Sequence, residues 1–101
     1  MQRIALRTRV KAGSEEEYEK VHAVIPADLD AALREGGVHT WRIWRDGLDL
    51  FHYVEVEDYA RLQEFLRDHP ADQAWQARIN PLLDGDFDPS STGLHQVWEL
   101  P

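Results

Sequence analysis

Two side chains suited to proton transfer stand one helical turn apart near the start of the chain. Tyr18 and His22 are four positions apart in a segment whose apolar residues recur at steps of three and four. This spacing places both side chains on one face of a predicted helix. An imidazole can donate and accept a proton near neutral pH, so the pair predicts general acid–base catalysis. The alternative is structural, with His22 a hydrogen-bonded buried histidine and Tyr18 a core aromatic residue.

Tryptophan is unusually frequent, with 4 residues in a chain of 101. Trp41, Trp44, Trp75 and Trp98 are more indoles than one small core needs. An indole beside a polar cleft can stack on the C–H face of a sugar and leave its N–H for a hydrogen bond. Packing is the alternative for each of the four.

The remaining polar residues do not indicate a metal or cofactor site. His39, His52, His69 and His95 lack the His-x-x-x-His spacing and are expected to be exposed or hydrogen-bonded within strands. The acidic loop 84–88 lacks the glutamate that completes a calcium loop. The chain has 0 cysteines, which excludes disulfides, zinc–thiolate sites and cysteine nucleophiles. We therefore expect no metal and no cofactor.

Size and charge narrow the class of protein. A chain of 101 residues fits one domain, residues 1–101. Its 11 basic and 19 acidic residues give a net charge of −8, which argues against binding to nucleic acid or to an anionic membrane. The sequence contains no long apolar run and no signal-peptide pattern, so we expect a cytoplasmic protein.

The first part of the chain predicts a strand followed by an interrupted helix. Residues 3–10 alternate between apolar and polar, which is the pattern of a half-buried strand. Ser14 and Glu17 have the spacing of a capping box, which predicts a helix beginning directly after Ser14. Pro26 lies inside the helical pattern, so we expect a kink or a break there.

The rest of the chain predicts a hairpin, a helix in two pieces and a last strand. Alternation covers residues 38–45 and 48–56, and Asp46-Gly47 between them is typical of a tight hairpin turn. Asp58 is the predicted cap of the second helix. Residues 94–100 alternate again and predict a fourth strand.

This order of elements, β-α-β-β-α-β, predicts an α+β fold of the ferredoxin-like type. We expect a four-stranded antiparallel sheet with the helices on one face. Because the other face stays uncovered, we expect a homodimer, a dimeric α+β barrel, in which a second copy covers it.

Four groups of residues resemble the L-rhamnose mutarotase family, small dimeric ferredoxin-like enzymes that epimerise sugar anomers. The groups are Glu17-Tyr18 with His22, Gly37-x-His39-x-Trp41-x-Ile43, Gln73-x-Trp75, and Leu94 to Pro101 at the C-terminus. The match spans nearly the whole chain. It implies that the substrate is a small sugar and that no cofactor takes part.

The resemblance also implies roles for individual residues. His22 matches the catalytic proton donor, and Tyr18, Trp41, Trp75 and Gln76 match positions that contact the sugar. Trp41 stands where the family typically has a tyrosine, and Gln76 replaces the second tryptophan of a Trp-Trp pair. Both departures concern the sugar pocket, so the sugar is either L-rhamnose or a related 6-deoxy sugar such as L-fucose.

The expected reaction is the interconversion of α and β anomers by opening and closing of the sugar ring. One proton leaves the anomeric hydroxyl while another reaches the ring oxygen, which is work for an acid–base group. Two alternatives stay open: a cofactor-independent monooxygenase on a similar dimeric α+β barrel, and a non-catalytic domain that binds a small ligand.

Overall fold

The computed structural model describes residues 1–101 and contains an antiparallel sheet of three strands with four helices against one face. The strands are β1 (Gln2–Arg9), β2 (Val38–Asp46) and β3 (Asp49–Val56), and the helices are α1 (Glu15–His22), α2 (Ala27–Glu35), α3 (Tyr59–Arg67) and α4 (Pro70–Ile79). A single 3₁₀ turn, Asn80–Leu82, follows α4. None of the helices is long and apolar enough to cross a membrane.

The central strand of the sheet is β3, and both neighbours pair with it in antiparallel register. Alternation along the strands gives the sheet an inner face toward the helices and an outer face away from them. The inner face carries Leu6, Thr8, Trp41, Ile43, Leu50, His52 and Val54. The outer face carries Arg3, Arg7, Arg9, Arg42, Trp44, Asp49, Phe51 and Tyr53.

The helical segment after β1 begins directly after Ser14 and is interrupted near Pro26, both as predicted, but it lacks the predicted capping hydrogen bond. The chain leaves α1 after His22 and enters α2 directly after Pro26, so the break predicted at Pro26 is confirmed. The capping box is wrong, because the Ser14 side chain makes no capping hydrogen bond. Its backbone has φ −103° and ψ 6°, rather than the extended conformation from which an N-cap hydroxyl reaches the helix.

The β2–β3 hairpin and the helices α3 and α4 agree with the predictions from the sequence. Gly47 has φ 62° in the turn between β2 and β3, a conformation that glycine adopts without strain. The Asp58 carboxylate accepts a hydrogen bond of 3.1 Å from the Arg61 N–H and caps α3, as predicted. Helix α4 begins with Pro70, and the His69 Nδ1 accepts the Ala71 N–H at its start.

The predicted fourth strand is wrong, since residues 94–100 form no regular structure. One backbone hydrogen bond of 2.7 Å, from the Leu94 N–H to the Ala5 carbonyl, joins this segment to β1. Val97 is 88 % exposed and Trp98 is 72 % exposed, so the alternating residues bury neither face. Packing, one of the two alternatives for each tryptophan, does not account for Trp44 and Trp98 within this chain, because both indoles are exposed.

Candidate active site

A cavity of about 440 Å³ lies between the inner face of the sheet and the helices. All five residues proposed from the sequence line it: Tyr18, His22, Trp41, Trp75 and Gln76. Segments far apart in the sequence therefore converge on one space. Apolar side chains of α2 and α3 form another part of the wall, among them Leu29, Leu33, Leu62 and Leu66.

The imidazole of His22 has a defined orientation at the end of α1. Its Nδ1 lies 2.8 Å from the carbonyl oxygen of Tyr18. A carbonyl can only accept, so Nδ1 carries the hydrogen and the neutral ring keeps its lone pair on Nε2. Burial lowers the pKa of His22 below its ordinary value of 6.5, with the bond to Tyr18 acting in the opposite direction. His22 is therefore neutral at pH 7 and can accept a proton at Nε2.

Aromatic rings hold this imidazole on two sides. The ring of Tyr18 lies 4.0 Å from it between centroids, and the indole of Trp75 meets it edge-on at 5.0 Å. Tyr18 is 4 % exposed, and burial raises its pKa to about 12. The phenol therefore stays protonated at neutral pH and is suited to donate a hydrogen bond, not to act as a base.

Helix α4 presents a polar strip to the cavity, with Asp72, Trp75 and Gln76 at positions i, i+3 and i+4. The Gln76 Nε2 donates to the Asp72 Oδ1 at 3.4 Å, and the Gln76 Oε1 is buried with no partner. Burial is the main influence on Asp72 and raises the pKa of its carboxyl. A buried acceptor without a donor costs free energy, and a ligand hydroxyl in the cavity would remove that cost.

Asp72 is not among the site residues predicted from the sequence. Its signal was the helical spacing to Trp75 and Gln76, which would have placed all three on one face.

The acidic loop 84–88 ends in a local turn, in which the Asp88 carboxylate accepts the Ser90 N–H at 2.9 Å. No group of three or more side chains that could hold a metal ion is present.

His52 is the second residue that sequence reasoning passed over, and it is 6 % exposed in the floor of the cavity. The Trp41 Nε1–H donates to its Nδ1 at 3.1 Å, and its Nε2 lies 2.9 Å from the Thr8 Oγ1. Burial, with a smaller effect of a charge on His22, lowers the pKa of His52 to about 4. The indole N–H of Trp41, expected to be available to a ligand, is thus already used within the protein.

Nearly the whole chain matches one family of known proteins. The model of the L-rhamnose mutarotase family matches residues 3–100. The chain belongs to the L-rhamnose mutarotase family. The L-rhamnose mutarotase of Opitutus terrae is 38 % identical over 99 % of each chain. That of Oceanobacillus iheyensis is 30 % identical and covers 84 % of this chain and 85 % of its own.

Solved structures share the fold of this L-rhamnose mutarotase family member. An L-rhamnose mutarotase from Formosa agariphila superposes with a TM-score of 0.81, with 19 % identity over 100 % of both chains. A tetracenomycin cyclase from Streptomyces glaucescens, a type-II polyketide cyclase, has a TM-score of 0.67 and 22 % identity over 100 % of both chains. The α+β fold is thus common to proteins described by different activities, and the side chains of the cavity must carry any argument about function.

Proposed function

We propose that the protein interconverts the α and β anomers of L-rhamnose, or of a related 6-deoxy sugar, with His22 as the acid–base group. One observation carries the proposal: a neutral imidazole, with its Nδ1 fixed by the Tyr18 carbonyl, lines a cavity with an unpartnered Gln76 oxygen. Family membership and the names of the relatives support the same activity. The sequence itself favours proton transfer, because it has no cysteine nucleophile.

In the proposed reaction the His22 Nε2 takes the proton from the anomeric hydroxyl of the sugar. The bond between C1 and the ring oxygen breaks as the C1 carbonyl forms, and the imidazolium gives the proton to the ring oxygen. Both oxygens are bonded to C1, so one nitrogen can serve them in turn. After rotation about the C1–C2 bond, the reverse steps close the ring on the other face and regenerate neutral His22.

The other cavity residues would bind and orient the ring. Trp41 and Trp75 offer aromatic surface to the C–H faces of the sugar. The Gln76 Oε1 would accept a sugar hydroxyl, and the Tyr18 phenol would donate to a sugar oxygen. The leucines of α2 and α3 would pack against the methyl group that distinguishes a 6-deoxy sugar.

The outer face of the sheet supports the homodimer as part of the proposal. Trp44 is 55 % exposed and Phe51 is 39 % exposed on this face, and the register places them side by side on β2 and β3. Exposed aromatic residues on an uncovered sheet mark an interaction surface.

A cytoplasmic location belongs to the proposal as well, because a chain with 0 cysteines fits a reducing compartment.

Saturation-transfer NMR of anomer exchange tests the activity. We expect the wild-type protein to accelerate exchange of L-rhamnose, and His22→Ala to lose a factor of about 10²–10⁴ in rate, the usual contribution of an acid–base group. His95→Ala is the matched control, because it removes an exposed imidazole outside the cavity. Far-UV circular dichroism tests whether both variants fold, and we expect both spectra to match that of the wild-type protein.

A panel of sugars under the same conditions identifies the substrate. L-Rhamnose and L-fucose share the 6-methyl group but differ in hydroxyl configuration, and the sugar with the larger kcat/KM is the better substrate. The proposal fails if wild-type protein accelerates exchange of no sugar, or if His22→Ala exchanges at the wild-type rate.

A further inference from the structure

A chain of hydrogen bonds crosses the inner face of the sheet and uses one residue from each strand. Trp41 of β2 donates its indole N–H to the Nδ1 of His52 on β3 at 3.1 Å. The Nε2 of the same imidazole lies 2.9 Å from the Oγ1 of Thr8 on β1. We call Trp41, His52 and Thr8 the cross-strand chain. All three residues line the cavity.

The chemistry of the first member fixes the direction of the whole chain. An indole N–H is a donor only, so the His52 Nδ1 must accept and the neutral ring must carry its hydrogen on Nε2. The Thr8 hydroxyl therefore accepts from Nε2. Burial supports this state, since it keeps His52 neutral. A second proton on the imidazole would set two donors against each other at Trp41.

The last member of the chain keeps one hydrogen unused. A hydroxyl has one donor and two acceptor sites, and His52 occupies an acceptor site of Thr8. The Thr8 hydroxyl makes no other hydrogen bond within the protein. The floor of the cavity thus offers a donor, whereas the α4 strip offers an acceptor, the Gln76 Oε1. Sugar hydroxyls both donate and accept, so these two unlike groups can orient one ring.

We propose that Thr8 is a substrate-binding residue that donates a hydrogen bond to a sugar oxygen, and that His52 is the positioning residue that sets this donor. His52 has a second effect on Trp41, because it accepts the indole N–H and so leaves the sugar only apolar contact with that ring. The role of Thr8 rests on the proposed sugar substrate, whereas the bond between Trp41 and His52 does not.

Two pairs of variants separate these roles. Thr8→Val removes the hydroxyl and keeps the size, and Thr8→Ser keeps the hydroxyl. His52→Leu removes both ring nitrogens, and His52→Gln keeps one acceptor and one donor. Three quantities are measured on each protein: KM and kcat for L-rhamnose anomer exchange, the Kd for L-rhamnose from an NMR titration, and the four indole N–H signals of ¹⁵N-labelled protein.

For Thr8→Val we expect KM and Kd to rise about three- to tenfold, the value of one neutral hydrogen bond, while kcat changes by less than about twofold. Thr8→Ser restores wild-type binding. His52→Leu raises KM by a similar factor and shifts one indole N–H signal, that of Trp41, and His52→Gln reverses both effects. A purely structural role for His52 would not move one indole signal selectively in a protein that remains folded.

Wild-type KM and Kd in Thr8→Val overturn the binding role of Thr8. Unchanged indole signals in His52→Leu overturn the positioning role of His52. A wild-type protein that binds L-rhamnose without accelerating exchange refutes the proposed activity alone, and the Kd of Thr8→Val then decides the role of Thr8. A wild-type protein that neither binds nor exchanges the sugar overturns both proposals, and the indole signals still judge the contact between Trp41 and His52.

Discussion

Each face of the sheet holds a titratable side chain with a lowered pKa, but the physical cause differs between the two faces. On the inner face, burial lowers the pKa of His52 to about 4 and so favours its neutral form. On the outer face, a hydrogen bond from Arg7, 3.0 Å away, lowers the pKa of Asp49 and so favours its charged form. The direction of the shift is the same, but one group loses its charge to burial and the other keeps its charge through a partner.

This difference shows which face of the sheet can form a binding or catalytic site. Inside, burial makes an unpartnered polar atom costly, and the hydrogen bonds of His52 to Trp41 and Thr8 fix the orientation and the tautomer of its ring. Outside, the ion pairs of Arg7 and Arg9 with Asp49 compete with water and contribute little to folding. The inner face is therefore organised for a site, and the outer face is available for association.

The largest contrast concerns two neighbouring residues on β3. Leu50 is 1 % exposed on the inner face, and Phe51 is 39 % exposed on the outer face. We expect Leu50→Ala to lower the free energy of unfolding by about 4 kcal/mol, because it removes buried surface and leaves a cavity. Phe51→Ala should cost less than about 1 kcal/mol at low protein concentration. Urea unfolding measures both, and equal losses would contradict the assignment of the two faces.

The second contrast is the response to acid. His52 has a pKa of about 4 in the folded protein, below its ordinary 6.5, so the unfolded state binds its proton first as the pH falls. The stability is full above pH 6.5 and is lost toward pH 4, by about 3 kcal/mol for a shift of this size. Unfolding curves across this range measure the loss.

His52→Leu should remove most of the decrease in unfolding free energy between pH 6.5 and pH 4, because a leucine side chain does not titrate. Some dependence should remain, since burial also lowers the pKa of His22 and acts in the same direction. An unfolding free energy that does not change between pH 6.5 and pH 4 in the wild-type protein would show that His52 is not held neutral by burial.

The smallest expected effect tests the outer face as an interface. Trp44→Ala should raise the dissociation constant of the proposed homodimer about 30-fold, which corresponds to about 2 kcal/mol for a central aromatic residue. Trp98→Ala is the matched control, because this indole is 72 % exposed in the C-terminal segment. Sedimentation velocity over a dilution series gives the constants. Equal effects of the two substitutions, or a wild-type monomer, would reject this face as the interface.

Alternation predicted β1, β2 and β3 correctly, because each has one face that is buried by helices. Residues 94–100 show the same alternation, yet they form no strand. A strand needs a row of backbone partners as well as a pattern, and only the Leu94 N–H pairs with β1. The missing capping bond of Ser14 has a similar cause, since spacing predicts which groups could bond but not the backbone angles they adopt.

Only part of the candidate site could be predicted from the sequence, because a local pattern reveals only residues that lie close together along the chain. Tyr18 and His22 are one helical turn apart, so local spacing was sufficient to pair them. His52 depends on Trp41 and Thr8, which are 11 and 44 positions away in the sequence. No local pattern links residues at such separations, because the register of the sheet brings them together. The resemblance supplied Trp41, Trp75 and Gln76 but neither His52 nor Asp72.

The turn at Gly47 has a consequence for how this protein can evolve. It holds Asp46 opposite Asp49, and from there the register runs to Trp41 opposite Val54. An insertion that slid β2 by one position would turn Trp41 to the outer face and Trp44 to the inner face. The cavity would lose an aromatic wall although no residue of the site had mutated. Selection on the site therefore acts on the length of a surface turn as strictly as on the side chains of the cavity.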